Sequence, residues 1–416
     1  MSAAAESKPV EWQTVPLGEV ADIKLGKMLD RAKHTSGRRL PYLRNVNVRW
    51  GAIEIDDLLE MYFKDDQVER FGLKENDILV YEGGEPGRAA VWRGGPTELK
   101  FQKALHRVRF RVPFEPRLLV YLLELQAKSG GLERRFTGST IKHFTREAFL
   151  QLPVPMLPLA DQQRIVAEIE KQFTRLDAAV AALKQVKANL KRYRAAVLKA
   201  TFPTAHLPNG WTWSTPTELA RREPNAICAG PFGTIFKAKD FRQTGMPIIF
   251  LRHVAPGKYL TSKPGFMDEA KWRDLFKPYS VFGGELLITK LGEPPGTCAI
   301  YPEGIGAAMV TPDVIKMTVN SDIIIPRFLM HYFNSEGARR FGAASAFGTT
   351  RLRLTIPMFR QMPIPLPPLA EQHRIVAEVE RRLSVVDELE TVVEANLQRA
   401  KRLRQSILQR AFSGKL

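Results

Sequence analysis

Apolar residues recur every seven positions along two stretches of this chain. The first row is Ile169, Leu176, Leu183, Leu190 and Val197; the second is Val379, Val386, Val393, Ala400 and Ile407. Phe173, Val180, Leu383, Leu389 and Leu403 fill part of an interleaved row. This spacing predicts the a/d seam of a coiled coil rather than the broad stripe of a surface helix. Each helix would be about 40 residues, or roughly 60 Å long. Elsewhere, short apolar runs such as "DILVY", "VRFRV", "PIIFL" and "ELLITK" lie between Gly/Pro-rich turns and read as strands. Helical patterns, "RLLVYLLELQAKSG" and "PRFLMHYFNSEGARRF", follow them. The fold class expected is α+β.

The pattern is written twice. Leu152 to Phe173 aligns without a gap to Met362 to Leu383, and twelve of twenty-two pairs are identical, among them Gln162/Gln372 and Arg164/Arg374. The same offset of 210 relates "VLKATF" to "ILQRAF" and "GSTIKHFT" to "GTTRLRLT". An offset of 208 relates "YLRNV" (Tyr42 to Val46) to "FLRHV" (Phe250 to Val254), and "DILVYEGGEP" to "ELLITKLGEP". Between these anchors the halves diverge, as expected for two copies of one frame carrying different surfaces. Pro158 and Pro368 suit the entry to a helix, and Asp161 or Glu371 then meets the positive end of its dipole. The simplest partner for each seam is its duplicate. The expectation is a pair of antiparallel helices separating two like domains in a pseudo-two-fold dumbbell. The divisions fall at residues 1–151, 152–202, 203–361 and 362–416.

A length of 416 residues exceeds one ordinary core, in keeping with two domains. The formal charge of +18 favours a polyanionic partner such as nucleic acid, with a solvated basic face as the alternative. Two cysteines are too few for a disulfide framework, so a reducing cytoplasm is expected. No apolar run approaches the roughly 20 residues of a membrane span. Recognisable catalytic motifs are missing. There is no P-loop, no H-E-x-x-H and no paired-cysteine zinc motif. The cofactor loop and Asn/Asp-Pro-Pro-aromatic run of an amino-methyltransferase are absent too. "PDVIK" (Pro312 to Lys316) echoes a nuclease site only in part and reads as a strand edge. The "EGGEPGR" run (Glu82 to Arg88) reads as a turn rather than a phosphate cradle.

What remains is binding. Arginine suits guanine edges, asparagine suits adenine, and lysine, serine and threonine anchor phosphates. Candidates in the first half are Arg44, Asn45, Asn47 and Arg49, then Lys100, Gln102, Lys103 and His106, then Ser139, Thr140, Lys142 and His143. In the second half they are Arg252, His253, Lys258, Lys290, Thr349, Thr350, Arg351 and Arg353. Basic runs on the helices, including Lys187, Arg194 and Arg404, are open to DNA phosphates, acidic helices or solvent.

The chain resembles the specificity subunit of Type I restriction-modification systems. The likeness rests on the helix starts "PLADQQRIV" and "PLAEQHRIV" and on "YLRNVNV", "FQKALHRV", "GSTIKHFT" and "GPFGT" (Gly230 to Thr234). It implies two target recognition domains, each reading half of a split, asymmetric double-stranded DNA site. It also implies docking of two modification subunits, which supply S-adenosylmethionine and methyl transfer, and of motor-nuclease restriction subunits. The chain itself would bind no cofactor and catalyse nothing. The residues leave two alternatives open, an unrecognised DNA-modifying enzyme and a stand-alone nucleic-acid-binding scaffold.

Overall fold

The computed structural model describes residues 12–29, 36–95, 98–138, 142–231, 235, 237–292, 295–345 and 352–416. The chain divides into two compact units, Met1–Leu183 with Ala395–Leu416, and Lys184–Glu394.

In the first unit the strands Ala21–Leu25, Leu105–Phe110, Ile78–Tyr81 and Ala89–Val91 form an antiparallel sheet in that order. The run "ILVY" is buried at every position because the sheet is covered on both faces. Ile78 and Val80 pack with Leu118, Leu119 and Leu123 of the helix Pro116–Ser129. Leu79 and Tyr81 face a second sheet, Leu59–Phe63, Arg38–Leu43 and Lys100–Phe101, among Tyr42, Phe63 and Phe101.

The second unit repeats this plan. Its four-stranded sheet is Ile227–Ala229, Val314–Met317, Leu286–Thr289 and Cys298–Ile300, in the same order and sense. Its other sheet has five strands, Phe241–Arg242, Gly265–Met267, Met246–Ile249, Ala308–Val310 and Ser280–Val281. The parallel pair in that sheet, Met246–Ile249 with Ala308–Val310, matches Arg38–Leu43 with Lys100–Phe101. "PDVIK" enters an inner strand of the four-stranded sheet, flanked on both sides, so the strand-edge expectation is corrected. Lys316 there meets Glu285 at 3.2 Å.

Helices span Leu159–Thr201 and Leu369–Phe412, each starting directly after the repeated proline. Both are shared between the units, and within each unit their segments run antiparallel. In the second unit Lys187 meets Glu394 at 2.8 Å, and Arg194 pairs with Asp387 and Glu390. In the first, Arg404 meets Asp177 at 3.1 Å, and Ile169 and Phe173 pack with Ile407, Leu408 and Ala411. Asp177/Arg404 and Asp387/Arg194 are the same pair at the 210 offset. Lys187 and Arg194 of the first helix therefore find acidic partners on the second, and Arg404 of the second finds Asp177 on the first. The seam is narrower than the a/d expectation. All five residues of the second row are buried, whereas Leu389 and Leu403 are 46% and 49% exposed.

The repeated glutamine joins each helix to its globular body. Gln162 is fully buried; its Oε1 accepts from Glu115 N–H at 2.9 Å and its Nε2 donates to Leu157 O at 2.7 Å. Gln372 does the same with Ile325 N–H, Pro367 O and Ile323 O. Arg117 with Glu170 and Arg327 with Glu380 form a second repeated tie, at 2.8 and 3.1 Å.

Asp387 offers a pH test. Burial opposes its ionisation, yet hydrogen bonds and charge from Lys258 and Arg194 outweigh this and hold its pKa below the usual 3.8. A carboxylate depressed on folding stabilises the fold above its unfolded pKa, and that contribution disappears as pH falls through the lower folded value. Melting temperature should thus drop more steeply below about pH 4 in the native chain than in Asp387→Asn. Parallel pH profiles by circular dichroism would show that the cluster adds nothing.

Candidate nucleic-acid interface

In the first unit the tight turn Asn45–Asn47 leads into the hairpin Val48–Arg49 and Ala52–Ile53. Asn47 is buried; its Oδ1 accepts from Arg44 N–H at 2.9 Å and its Nδ2 donates to Asp57 O at 3.0 Å. Arg44 donates to the Asp57 carboxylate at 2.6 Å. These two candidates thus bind the turn to the Asp57 segment. Asn45 Oδ1 accepts from Val46 N–H, and exposed Arg49 lies 3.3 Å from Glu54.

The equivalent turn in the second unit is Leu251–His253, followed by Val254–Ala255 and Lys258–Tyr259. His253 does what Asn47 does. Its Nδ1 accepts from Phe250 N–H at 3.3 Å, and its carbonyl accepts from Leu260 N–H as that of Asn47 accepts from Glu54 N–H. Gly51 and Gly257 occupy the two hairpin bends at φ 74° and 73°. Backbone equivalence here runs at an offset of 206, so the match of "YLRNV" to "FLRHV" is two residues out of register. Arg44 corresponds to Phe250, and Arg252 to Val46.

Several candidates are internal. Lys100 and His106 are buried, and desolvation pushes the pKa of each down. The His106 ring packs on Phe149, with Nε2 2.8 Å from Phe144 O. Lys290 is 4% exposed, and desolvation lowers its pKa as well. Lys258 is exposed but meets Asp387 on the long helix at 2.8 Å. Gln102 is half-buried and Lys103 exposed.

The remaining candidates gather where two repeated segments meet. Gly83 bridges to His143, and Phe144 N–H donates to Glu82 O; in the second unit Leu291 bridges to Arg353, and Leu354 N–H donates to Lys290 O. His143 stands 3.4 Å from Glu82, exposed Lys142 3.5 Å from Glu133, and Arg353 3.5 Å from Asp313. Ser139, Thr140, Thr349, Thr350 and Arg351, and the Phe232 to Thr234 part of "GPFGT", lie outside the described residues.

One clamp escaped the sequence reading. Arg88 lies 4.2 Å over the Tyr81 ring and 2.8 Å from Glu85, while the Tyr81 hydroxyl donates to Asn45 O. It stiffens the "EGGEPGR" turn against the Asn45 turn. An arginine closing that loop in only one copy was its signal. Among the described residues no group of three or more His, Cys, Asp or Glu could hold a metal, and no helix is long and apolar enough to cross a membrane.

The family profile described as the Type I restriction modification DNA specificity domain matches residues 9–192 and 233–399, most of the chain. The chain belongs to this family. It is 25% identical to the Type I restriction enzyme StySPI specificity subunit of Salmonella potsdam, over 98% of this chain and 90% of that protein. To the EcoBI specificity subunit of Escherichia coli it is 24% identical, over 97% and 86%. A chain from a solved type I R-M system, studied for complex assembly and conformational transition, superposes with a TM-score of 0.76 at 20% identity. That match covers 99% of this chain and 100% of the other, and gives the family fold. Within the family frame, each copy holds the same two features, a hairpin turn and a stitched pair of loops, with different side chains on them.

Proposed function

We propose that this chain is the DNA specificity subunit of a Type I restriction-modification complex, and that each unit reads one half of a bipartite, asymmetric site. One observation carries the reading. Two copies of a single backbone plan keep the same helix starts and internal glutamine ties, yet differ at exposed turn positions such as Val46 and Arg252. A duplicated frame with unlike tips suits two readers of unlike sequences. The charge of +18 supplies the attraction to phosphates that positions them.

In this reading the chain is non-catalytic, acts in the cytoplasm and binds no cofactor. Two modification subunits dock on the repeated helices and bring S-adenosylmethionine, and motor-nuclease subunits complete the restricting form. The long helices set how many base pairs between the half-sites go unread. The test is a map of methylated bases in the source organism, with the gene intact and deleted and the partner subunits expressed. Deletion should erase one bipartite motif. Survival of every motif would reject the proposal.

A further inference from the structure

We infer that Arg252 selects guanine in the half-site read by the second unit, an assignment that rests on the proposed DNA-reading function. Most other cations named from the second half are engaged or buried. Lys258 meets Asp387, Arg353 meets Asp313, and Lys290 is 4% exposed. Arg252 is exposed and has no carboxylate partner among the described residues.

Its position is held all the same. The guanidinium carbon lies 4.1 Å from the centre of the Phe250 ring, and Nη2 donates to Lys263 O at 2.9 Å. Lys263 takes φ 51°, in the left-handed region that side-chain-bearing residues seldom adopt. Phe250 is wedged in turn. A Cβ on Gly265 would come within 2.7 Å of its ring, Phe241 meets it edge-on at 6.1 Å, and the buried His253 ring meets it at 5.6 Å. The turn beneath is closed by His253, which accepts from Phe250 N–H.

A planar guanidinium stacked on an aromatic ring and bonded through one nitrogen keeps further donors for a ligand. Two parallel donors match the O6 and N7 acceptors of guanine in the major groove. Holding the fork in advance reduces the side-chain freedom lost on binding. The equivalent position of the first unit carries Val46, 45% exposed, which has no such donors. The two units should therefore differ at this point of their half-sites.

The experiment uses the full complex with its modification partner and a DNA library randomised in both half-sites, read by methylation. The native complex should require a guanine at one position that Arg252→Gln and Arg252→Lys both relax, by roughly 5- to 150-fold. The other half-site should be unchanged. Gly265→Ala, which displaces Phe250 without altering the arginine, should weaken preference at that same position. The inference is overturned if Arg252→Lys keeps the native preference. It is overturned equally if the variants bind all sequences uniformly more weakly, with the log–log salt slope reduced by about one, since that marks a phosphate contact. A native complex with no sequence preference would reject the proposed function itself. An intact native motif that none of the variants changes would reject only the role of Arg252.

Discussion

Inserting one heptad after Leu190 and a second after Glu390 is expected to leave both half-site sequences intact while lengthening the unread spacer by about three base pairs. The ion pairs Lys187 to Glu394 and Arg194 to Asp387 put these two insertion points opposite each other on antiparallel segments. Seven residues preserve the spacing of Leu190 to Val197 and of Val386 to Val393, so the buried row continues in register. The addition is about 10 Å at 1.5 Å per residue, close to three steps of DNA at 3.4 Å. Methylation of the native site should fall at least about 100-fold, as expected when one of two linked contacts cannot be reached. Activity should reappear on substrates with the longer spacer. A variant that still prefers the native spacing would rule out the helices as the ruler.

The second large effect is on stability. Gln372→Leu keeps the approximate volume of the side chain but removes bonds to Ile325 N–H, Ile323 O and Pro367 O at a fully buried position. Each backbone group left without a partner in the interior costs about 1 to 3 kcal/mol; Ile323 is 39% exposed, so the other two groups give an expected loss of roughly 2 to 6 kcal/mol. Gln162→Leu should act alike in the first unit, where Glu115 N–H and Leu157 O lose their partner. Thermal unfolding gives the size of the effect. Hydrogen exchange gives its place: amides at the start of the affected helix should lose protection first. Unchanged protection there would mean that the helix is held by its apolar packing alone.

Much of this architecture was legible because it was duplicated. The 210-residue offset marked both long helices, and continuous apolar runs marked strands covered on both faces. Local identity misled where register is set at a distance. "LRNV" and "LRHV" look alike, but sheet pairing and the accepting side chains of Asn47 and His253 align the chains two residues away from that match. The candidate site was legible only in part. Residue type cannot distinguish a lysine reaching into solvent from one folded between two sheets, and Lys100, His106, His253 and Lys290 prove to be internal. The seam suffered from the reverse problem: Leu389 and Leu403 have the right spacing but face outward. The glutamines stood out as repeated letters, but their partners lie 47 residues earlier.

The first unit takes its last helical segment from Ala395–Leu416, after the whole of the second has been written. Its buried residues Ile169 and Phe173 pack with Ile407, Leu408 and Ala411. On the ribosome, at about 5 to 20 residues per second, the first unit therefore waits roughly 10 to 45 seconds with that surface uncovered. Order of synthesis and order of completion are reversed. A message truncated before codon 395 would yield a chain whose second unit is whole and whose first still shows its apolar seam, the feature that quality-control proteases and chaperones recognise.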